Sequence, residues 1–182
     1  NAFLTAVTTM DDSAVDYALK HKLWLEQAKA KKNEKWDRIA KESQREGKEV
    51  VVARLIMALD KLADENTIFT GDAGNPTPYI ASYIRAKAAG KRTILPRGHG
   101  ALGYALPAAV GAQIGAPKAR VVALFGDGSF GMAMGELETA KRLNLPIIFI
   151  NLQNNCYGWI KTIQRLYYKS QYYAVDFGEI DG

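Results

Sequence analysis

The chain predicts an α/β fold: a mostly parallel sheet covered by helices on both faces, preceded by a largely helical segment. Three observations carry this reading. First, the apolar run Arg120-Val-Val-Ala-Leu-Phe125 meets Gly-Asp-Gly, and a second apolar run, Pro146-Ile-Ile-Phe-Ile150, follows after a helix-like stretch in which Met134, Leu137, Ala140 and Leu143 share a face. A strand-helix-strand unit of that length is what a parallel crossover requires. Second, from Glu49 onward short apolar runs alternate with helical patterns, the signature of a parallel sheet with both faces covered. Third, glycine-rich polar turns follow the apolar runs, at the edge where ligands of open α/β sheets collect.

Residues 1–10 are short and mildly apolar. Asp11-Asp-Ser13 offers helix-capping chemistry, and Val15, Ala18, Leu19, Leu23, Trp36, Ile39 and Ala40 follow at near-helical spacing. The stretch Ala28 to Lys35 is almost wholly polar, so residues 1–48 read as one long or two broken solvent-facing helices stopped by Gly47. Trp24 and Trp36 read as anchors against other parts of a larger protein.

Residues 49–182 read as the α/β domain. Val50 to Leu62 is expected to be helical, burying Val51, Leu55, Ala58, Leu59 and Leu62. Thr67-Ile-Phe-Thr70 is a short strand and Gly71-Asp-Ala-Gly-Asn-Pro76 a turn-rich loop. Pro78 suits the first turn of a helix running to about Ala89. Thr93-Ile-Leu95 is a strand, Pro96-Arg-Gly-His-Gly100 a loop, and Leu102 to about Ile114 a helix, before the unit that begins at Arg120.

Composition narrows the partners. Of 182 residues 48% are hydrophobic, and the net charge of +5 is spread through mixed-sign segments such as Lys31-Lys-Asn-Glu-Lys-Trp-Asp-Arg38. No single-sign stripe with interleaved aromatics is present, which argues against a nucleic-acid partner. The single cysteine, Cys156, rules out an internal disulfide and fits a reducing compartment. No apolar run approaches the roughly 20 residues of a membrane span, and the first residues lack the charged start of a signal peptide. A cytoplasmic protein without a membrane partner is the expectation.

The chemistry lies between Gly126 and Tyr157. Gly126 and Gly128 let the backbone turn tightly and bring N–H groups near an anion such as phosphate. Asp127 between them would repel a bare phosphate unless a divalent cation stood between the two. Oxygen donors of the carboxylate, amide and carbonyl kind suit Mg²⁺, and Asn155 offers the amide oxygen. The plainer reading makes Asp127 a turn residue and the two asparagines ordinary loop residues.

Gly-Asp-Gly, then the twenty-five residues Ser129 to Gln153, then Asn154-Asn155, resembles the thiamin-diphosphate-binding signature. Leu106-Pro-Ala-Ala-Val-Gly-Ala-Gln113 and Glu136-Leu-Glu-Thr-Ala140 look like the acetolactate synthase-type branch of those enzymes. The resemblance implies a three-layer α/β/α diphosphate-binding fold, with residues 1–48 a connector from a central domain and the domain incomplete at its C-terminus. It implies thiamin diphosphate and Mg²⁺ as cofactors. Asp127 and Asn155 are then metal ligands with the Tyr157 carbonyl as a third, and Gly126, Gly128 and Ser129 lie at the diphosphate. Cys156-Tyr157-Gly158-Trp159 departs from that branch, which bears on substrate more than on metal.

The same resemblance assigns the other loops. Residues Asp72 to Thr77 are expected to approach the diphosphate, with Asn75 the best side-chain candidate, although a strand-to-helix turn alone would explain Gly71 and Gly74. Leu102 stands where a bulky apolar residue wedges the cofactor rings into a bent shape, while the Gly100 carbonyl and the Leu102 N–H bond the aminopyrimidine. As a residue pattern alone, Leu102 could equally be the first buried residue of a helix. His99 either faces the reacting carbon as a proton donor or acceptor or is an exposed loop residue. Glu136 and Glu138 read as helix-face residues.

The implied reaction is decarboxylation of a 2-oxoacid followed by addition of the remaining fragment to a second carbonyl. A pyrimidine-binding domain, from the same or a neighbouring subunit of a homodimer or homotetramer, would supply an activating glutamate; no second α/β unit here provides one. The alternatives are a non-ligating decarboxylase of the same family, a catalytically inactive binding fragment, and a nicotinamide-dinucleotide dehydrogenase. The last rests on two literal GxGxxG matches, starting at Gly98 and Gly126. It lacks the acidic residue expected at the end of the next strand, where Asn151, Gln153, Asn154 and Asn155 stand.

Overall fold

A computed structural model describes residues 21–47, 49–90 and 92–178. The chain forms two compact units, residues 1–51 and 52–182. In the first, α1 (Lys22–Ser43) is one unbroken helix, mostly exposed, with Ile39 buried and an exposed Lys31–Glu34 ion pair. Its Ala, Lys, Glu, Gln and Leu content favours helix without help from packing. The helix ends four residues before the expected stop at Gly47. The Gln44 and Arg45 amides close its last turn on the Lys41 and Glu42 carbonyls. Trp24 is exposed and Trp36 half-buried. The expected capping residues Asp11-Asp-Ser13 and the apolar positions Val15, Ala18 and Leu19 lie outside the described residues.

The second unit is built on four parallel strands: β1 (Thr67–Gly71), β2 (Thr93–Ile94), β3 (Arg120–Gly126) and β4 (Ile148–Leu152), in the spatial order β2-β1-β3-β4. Side chains alternate between the two faces of the sheet. Ile68, Val121, Ala123 and Phe125 pack with Ala105, Leu106 and Ala109 of α4 (Ala105–Gly115). Phe130 of α5 (Asp127–Ala133) and Leu137 of α6 (Glu136–Arg142) complete that layer, with Phe125 and Phe130 stacked at 5.6 Å. On the other face Phe69, Val122 and Leu124 meet Ile56 of α2 (Val52–Leu62) and Ile80 of α3 (Pro76–Tyr83). The result is the three-layer α/β/α arrangement expected.

This topology positions the site. The helix after β1 lies on one face of the sheet and the helices after β3 on the other, although β1 and β3 are neighbours. Their carboxyl ends therefore flank a topological switch point, where the two departing chains diverge and leave a crevice. Asp72 and Asp127 follow these two strands directly.

Several elements differ from expectation. In α2 the buried positions are Ala53, Ile56 and Asp60, whereas Ala58 and Leu62 are exposed. The helix is rotated so that a carboxylate, not a leucine, enters the interior. α3 stops at Tyr83 rather than near Ala89, because Ile84 is extended and the Arg85 amide and guanidinium turn back onto Asp60. β2 stops at Ile94, one residue early. α4 begins at Ala105 rather than Leu102, after Gly103 at φ +80°. The single helix expected after Gly-Asp-Gly is two helices, and Met134 and Leu143 are exposed, leaving Leu137 and Ala140 as its inward contacts. β4 begins at Ile148, two residues later than Pro146.

Asp60 is 2% exposed and pairs with Arg85 and with Lys87, the latter at 3.2 Å. Burial raises its carboxyl, but the Arg85 N–H and guanidinium and the Lys87 ammonium outweigh that and hold it below the usual range. A carboxyl lowered on folding stabilises the fold above its unfolded value, near pH 4. That contribution is lost as pH falls through the folded value. Asp60→Asn is expected to cost about 1–3 kcal/mol at neutral pH, and the gap from the parent should narrow below about pH 4. Urea unfolding across pH measures it; a gap independent of pH would contradict the charge assignment.

Candidate functional site

The site is built from two Gly-Asp turns. β3 ends at Gly126 and Asp127 opens α5. Asp127 Oδ1 accepts the Gly128 N–H at 2.9 Å, and Oδ2 accepts the Asn154 and Asn155 amides at 3.0 and 2.6 Å. The carboxylate thus holds the loop after β4 by its backbone, with twenty-six residues between Asp127 and Asn154. Asn155 adopts φ +54°, a left-handed conformation that asparagine tolerates better than most residues. Its Oδ1 accepts from Gln153 Nε2 at 3.1 Å.

The loop after Asn155 closes over the first glycine turn. A Cβ placed on Gly128 would lie 2.6 Å from Tyr157 Cε1 and 3.1 Å from Phe177 Cζ, so only glycine fits beneath these rings. Tyr157 and Phe177 meet edge to face at 4.5 Å. Residues 175–177 run antiparallel to 155–157: the Tyr157 N–H donates to Val175 O at 2.8 Å and the Phe177 N–H to Asn155 O at 3.0 Å. Tyr157 O accepts the Lys161 N–H at 2.9 Å, the first bond of α7 (Gly158–Tyr167). Lys161 also pairs with Asp176, which raises its ammonium. Burial pushes the Cys156 thiol up, Lys161 draws it down, and Asp176 and Asp127 push it up again.

The second turn is Gly71-Asp72 at the end of β1. Asp72 is fully buried. Its Oδ1 accepts the Ala73 and Gly103 amides at 2.8 and 3.1 Å, and its Oδ2 accepts the Ala105 amide at 3.0 Å. The Asp72 N–H donates to Leu124 O of β3 at 3.0 Å, and Thr77 Oγ1 donates to Asp72 O at 2.7 Å. Thr70 Oγ1 adds a bond to Ala105 O.

Asp127, Gly126, Gly128, Asn155 and Tyr157 therefore come together, and Ser129, next in sequence to Gly128, is buried. Asn75 joins them: a Cβ on Gly158 would lie 2.6 Å from Asn154 Nδ2 and 2.9 Å from Asn75 Nδ2. His99, Gly100 and Leu102 lie on the separate loop after β2, at the same edge of the sheet, and all three are exposed. Leu102 is 38% exposed and lies outside α4, so it is not the first buried residue of that helix. Glu136 is half-buried, and Glu138 pairs with Arg142 on the helix surface. Among the described residues no cluster of three His, Cys, Asp or Glu side chains could hold a metal ion, and no helix is long and apolar enough to cross a membrane. Reasoning from sequence placed Asp72 only as the start of a loop near the diphosphate, missing its grip on the Gly103 and Ala105 amides, and missed Phe177. For Asp72 a signal existed, since Gly71-Asp72 repeats the Gly126-Asp127 pattern at a strand end; Phe177 carried none.

Together these features define an open α/β cofactor-binding domain whose ligand edge lies at the switch point between β1 and β3. Comparison with known proteins narrows the class. Residues 72–181 match the family described as thiamine pyrophosphate enzyme, C-terminal TPP binding domain, and the chain belongs to that family. Acetolactate synthase large subunits are among its relatives. That of Buchnera aphidicola subsp. Schizaphis graminum is 32% identical over 139 residues, 76% of this chain and 24% of that protein. The Pyropia yezoensis subunit is 36% identical over 118 residues, 65% and 20% respectively. Isozyme 2 of Escherichia coli K12 is 34% identical over 126 residues, 69% and 23%. The chain thus spans about a quarter or less of these proteins' length. It is acetolactate synthase-like, and neither the matches nor the fold favours the dehydrogenase alternative.

Gly128→Ala should force Tyr157 and Phe177 from their packing at a cost of about 1–3 kcal/mol. Thermal unfolding and near-ultraviolet circular dichroism of the aromatic pair measure it. An unchanged aromatic signal would mean that the rings do not lie over this glycine.

Proposed function

We propose that this chain is the diphosphate- and metal-holding portion of an acetolactate synthase-like enzyme that decarboxylates a 2-oxoacid and joins the product to a second carbonyl. The observation that carries the reading is the grip of Asp127 on the backbone of Asn154 and Asn155. It draws the loop that carries Asn155 and Tyr157 to the Asp127 carboxylate by its backbone and sets the Tyr157 ring over Gly128. The donor set is all oxygen with a single carboxylate, which suits Mg²⁺ whose remaining ligands are phosphate oxygens and water. Asp127, Asn155 and the Tyr157 carbonyl would hold the ion, with Gly126, Gly128, Ser129 and Asn75 around the diphosphate.

Thiamin diphosphate, when bound, supplies the electron sink that lets a 2-oxoacid lose carbon dioxide. This chain's share is placement. Leu102, exposed on the loop after β2, is the residue to stand against the cofactor rings, with the Gly100 carbonyl and its own N–H toward the aminopyrimidine. His99, exposed on the same loop, would exchange a proton with substrate. The activating glutamate comes from a pyrimidine-binding domain of the same or a neighbouring subunit, in a homodimer or homotetramer, so the segment alone is expected to turn over nothing. The single Cys156 suits a reducing compartment such as the cytoplasm.

Calorimetric titration tests this reading. The intact protein should bind thiamin diphosphate only when Mg²⁺ is present, and Asp127→Ala should weaken that binding by about 100-fold or more. Leu102→Ala should bind within a few-fold of the parent yet turn over 2-oxoacid far more slowly. Equal binding by Asp127→Ala and the parent would overturn the metal assignment, and carbon dioxide release without a ligated product would overturn the carboligase.

A further inference from the structure

We infer that Asp72 is a positioning residue that sets where Leu102 stands, acting through the N–H of Gly103. This rests on the cofactor reading above and goes beyond it, because Asp72 is not among the residues that would touch cofactor, metal or substrate.

A buried carboxylate is costly unless its oxygens are hydrogen-bonded. Asp72 is fully buried and spends its oxygens on three backbone amides. Two of these, Gly103 and Ala105, bracket the point where the loop after β2 becomes α4. Asp72 itself is anchored by its N–H to Leu124 O and by Thr77 to its carbonyl. Leu102 is joined by one peptide bond to an amide that the core of the sheet holds in place.

Gly103 closes the vice from the opposite side. It adopts φ +80°, and a Cβ there would stand 3.3 Å from the Cβ atoms of Ala133 and Met132. The turn therefore rests against α5, the helix that Asp127 opens, while Asp72 holds it from β1. The chain can leave Leu102 exposed without leaving it loose. The Asp72 clamp would remain with Leu102 truncated, but its effect on the cofactor would have nothing left to act through.

The test uses the intact protein and three variants: Asp72→Asn, which keeps the shape but removes one acceptor; Gly103→Ala, which presses the same turn against α5; and Asp72→Asn combined with Leu102→Ala. Without cofactor, amide exchange at Gly103 and Ala105 should quicken in Asp72→Asn. With cofactor and Mg²⁺, calorimetric affinity of Asp72→Asn should stay within about threefold, since the loop leading to Asn75 keeps its backbone anchors, Asp72 N–H to Leu124 O and Thr77 Oγ1 to Asp72 O. Exchange of the cofactor C2 proton into D₂O should slow by about 10²-fold in Asp72→Asn and in Gly103→Ala, the cost of a misplacement near 1 Å. In the Leu102→Ala background, Asp72→Asn should slow it little further.

Additive losses in the combined variant, or affinity and C2 exchange falling together with the unfolding temperature, would make Asp72 a stabilising residue only and overturn the inference. If Asp72→Asn does not fold, Gly103→Ala decides alone: parent-like C2 exchange in that variant overturns it. Absence of Mg²⁺-dependent binding in the parent would instead remove the cofactor reading itself.

Discussion

Two aspartates at the carboxyl ends of neighbouring strands hold the working edge of this domain. Each follows a glycine that ends its strand, each accepts the N–H of the residue after it, and each accepts two amides from the segment that follows the next strand in sequence. Asp72 after β1 holds the loop after β2, and Asp127 after β3 holds the loop after β4. The bonds are charge-assisted and go to backbone, so they fix loop position whatever side chains the loops carry.

This pairing explains how exposed loops can carry chemistry that needs precise placement. Loops leave a sheet edge with few packing contacts and high freedom. Here that freedom is removed at one point in each loop, next to the residue that would act: Gly103 beside Leu102, and Asn155 two residues before Tyr157. The two aspartates differ in one respect. Both carboxylates accept three amides, but Asp72 is fully buried whereas Asp127 is half-buried. Both support the loops, and the proposed metal contact falls to the more accessible of the two, Asp127.

β3 was legible from the sequence because it is buried on both faces and so reads as a continuous apolar run ending at a glycine, and the apolar run after Pro146 marked β4 although that strand is partly exposed. The Gly-Asp-Gly and Asn-Asn pairs marked the ends of two strands correctly. Helix boundaries were less legible, and for physical reasons. α3 ends early because Asp60, placed on α2, captures Arg85 from a distance in sequence that no local pattern reveals. The helix after Gly-Asp-Gly breaks near Gly135, so Met134 and Leu143, which a continuous helix would place inward, face solvent. The return of residues 175–177 onto the asparagine loop depends on tertiary pairing alone. Phe177 could not be found from spacing.

The most direct measurement is a crystal structure of the intact protein with thiamin diphosphate and Mg²⁺. The expected result is an octahedral ion about 2.0–2.1 Å from a carboxylate oxygen of Asp127, the side-chain oxygen of Asn155 and the main-chain oxygen of Tyr157, with diphosphate oxygens completing the shell. An ion held elsewhere, or a diphosphate bound with Asp127 engaged only by the asparagine amides, would contradict it.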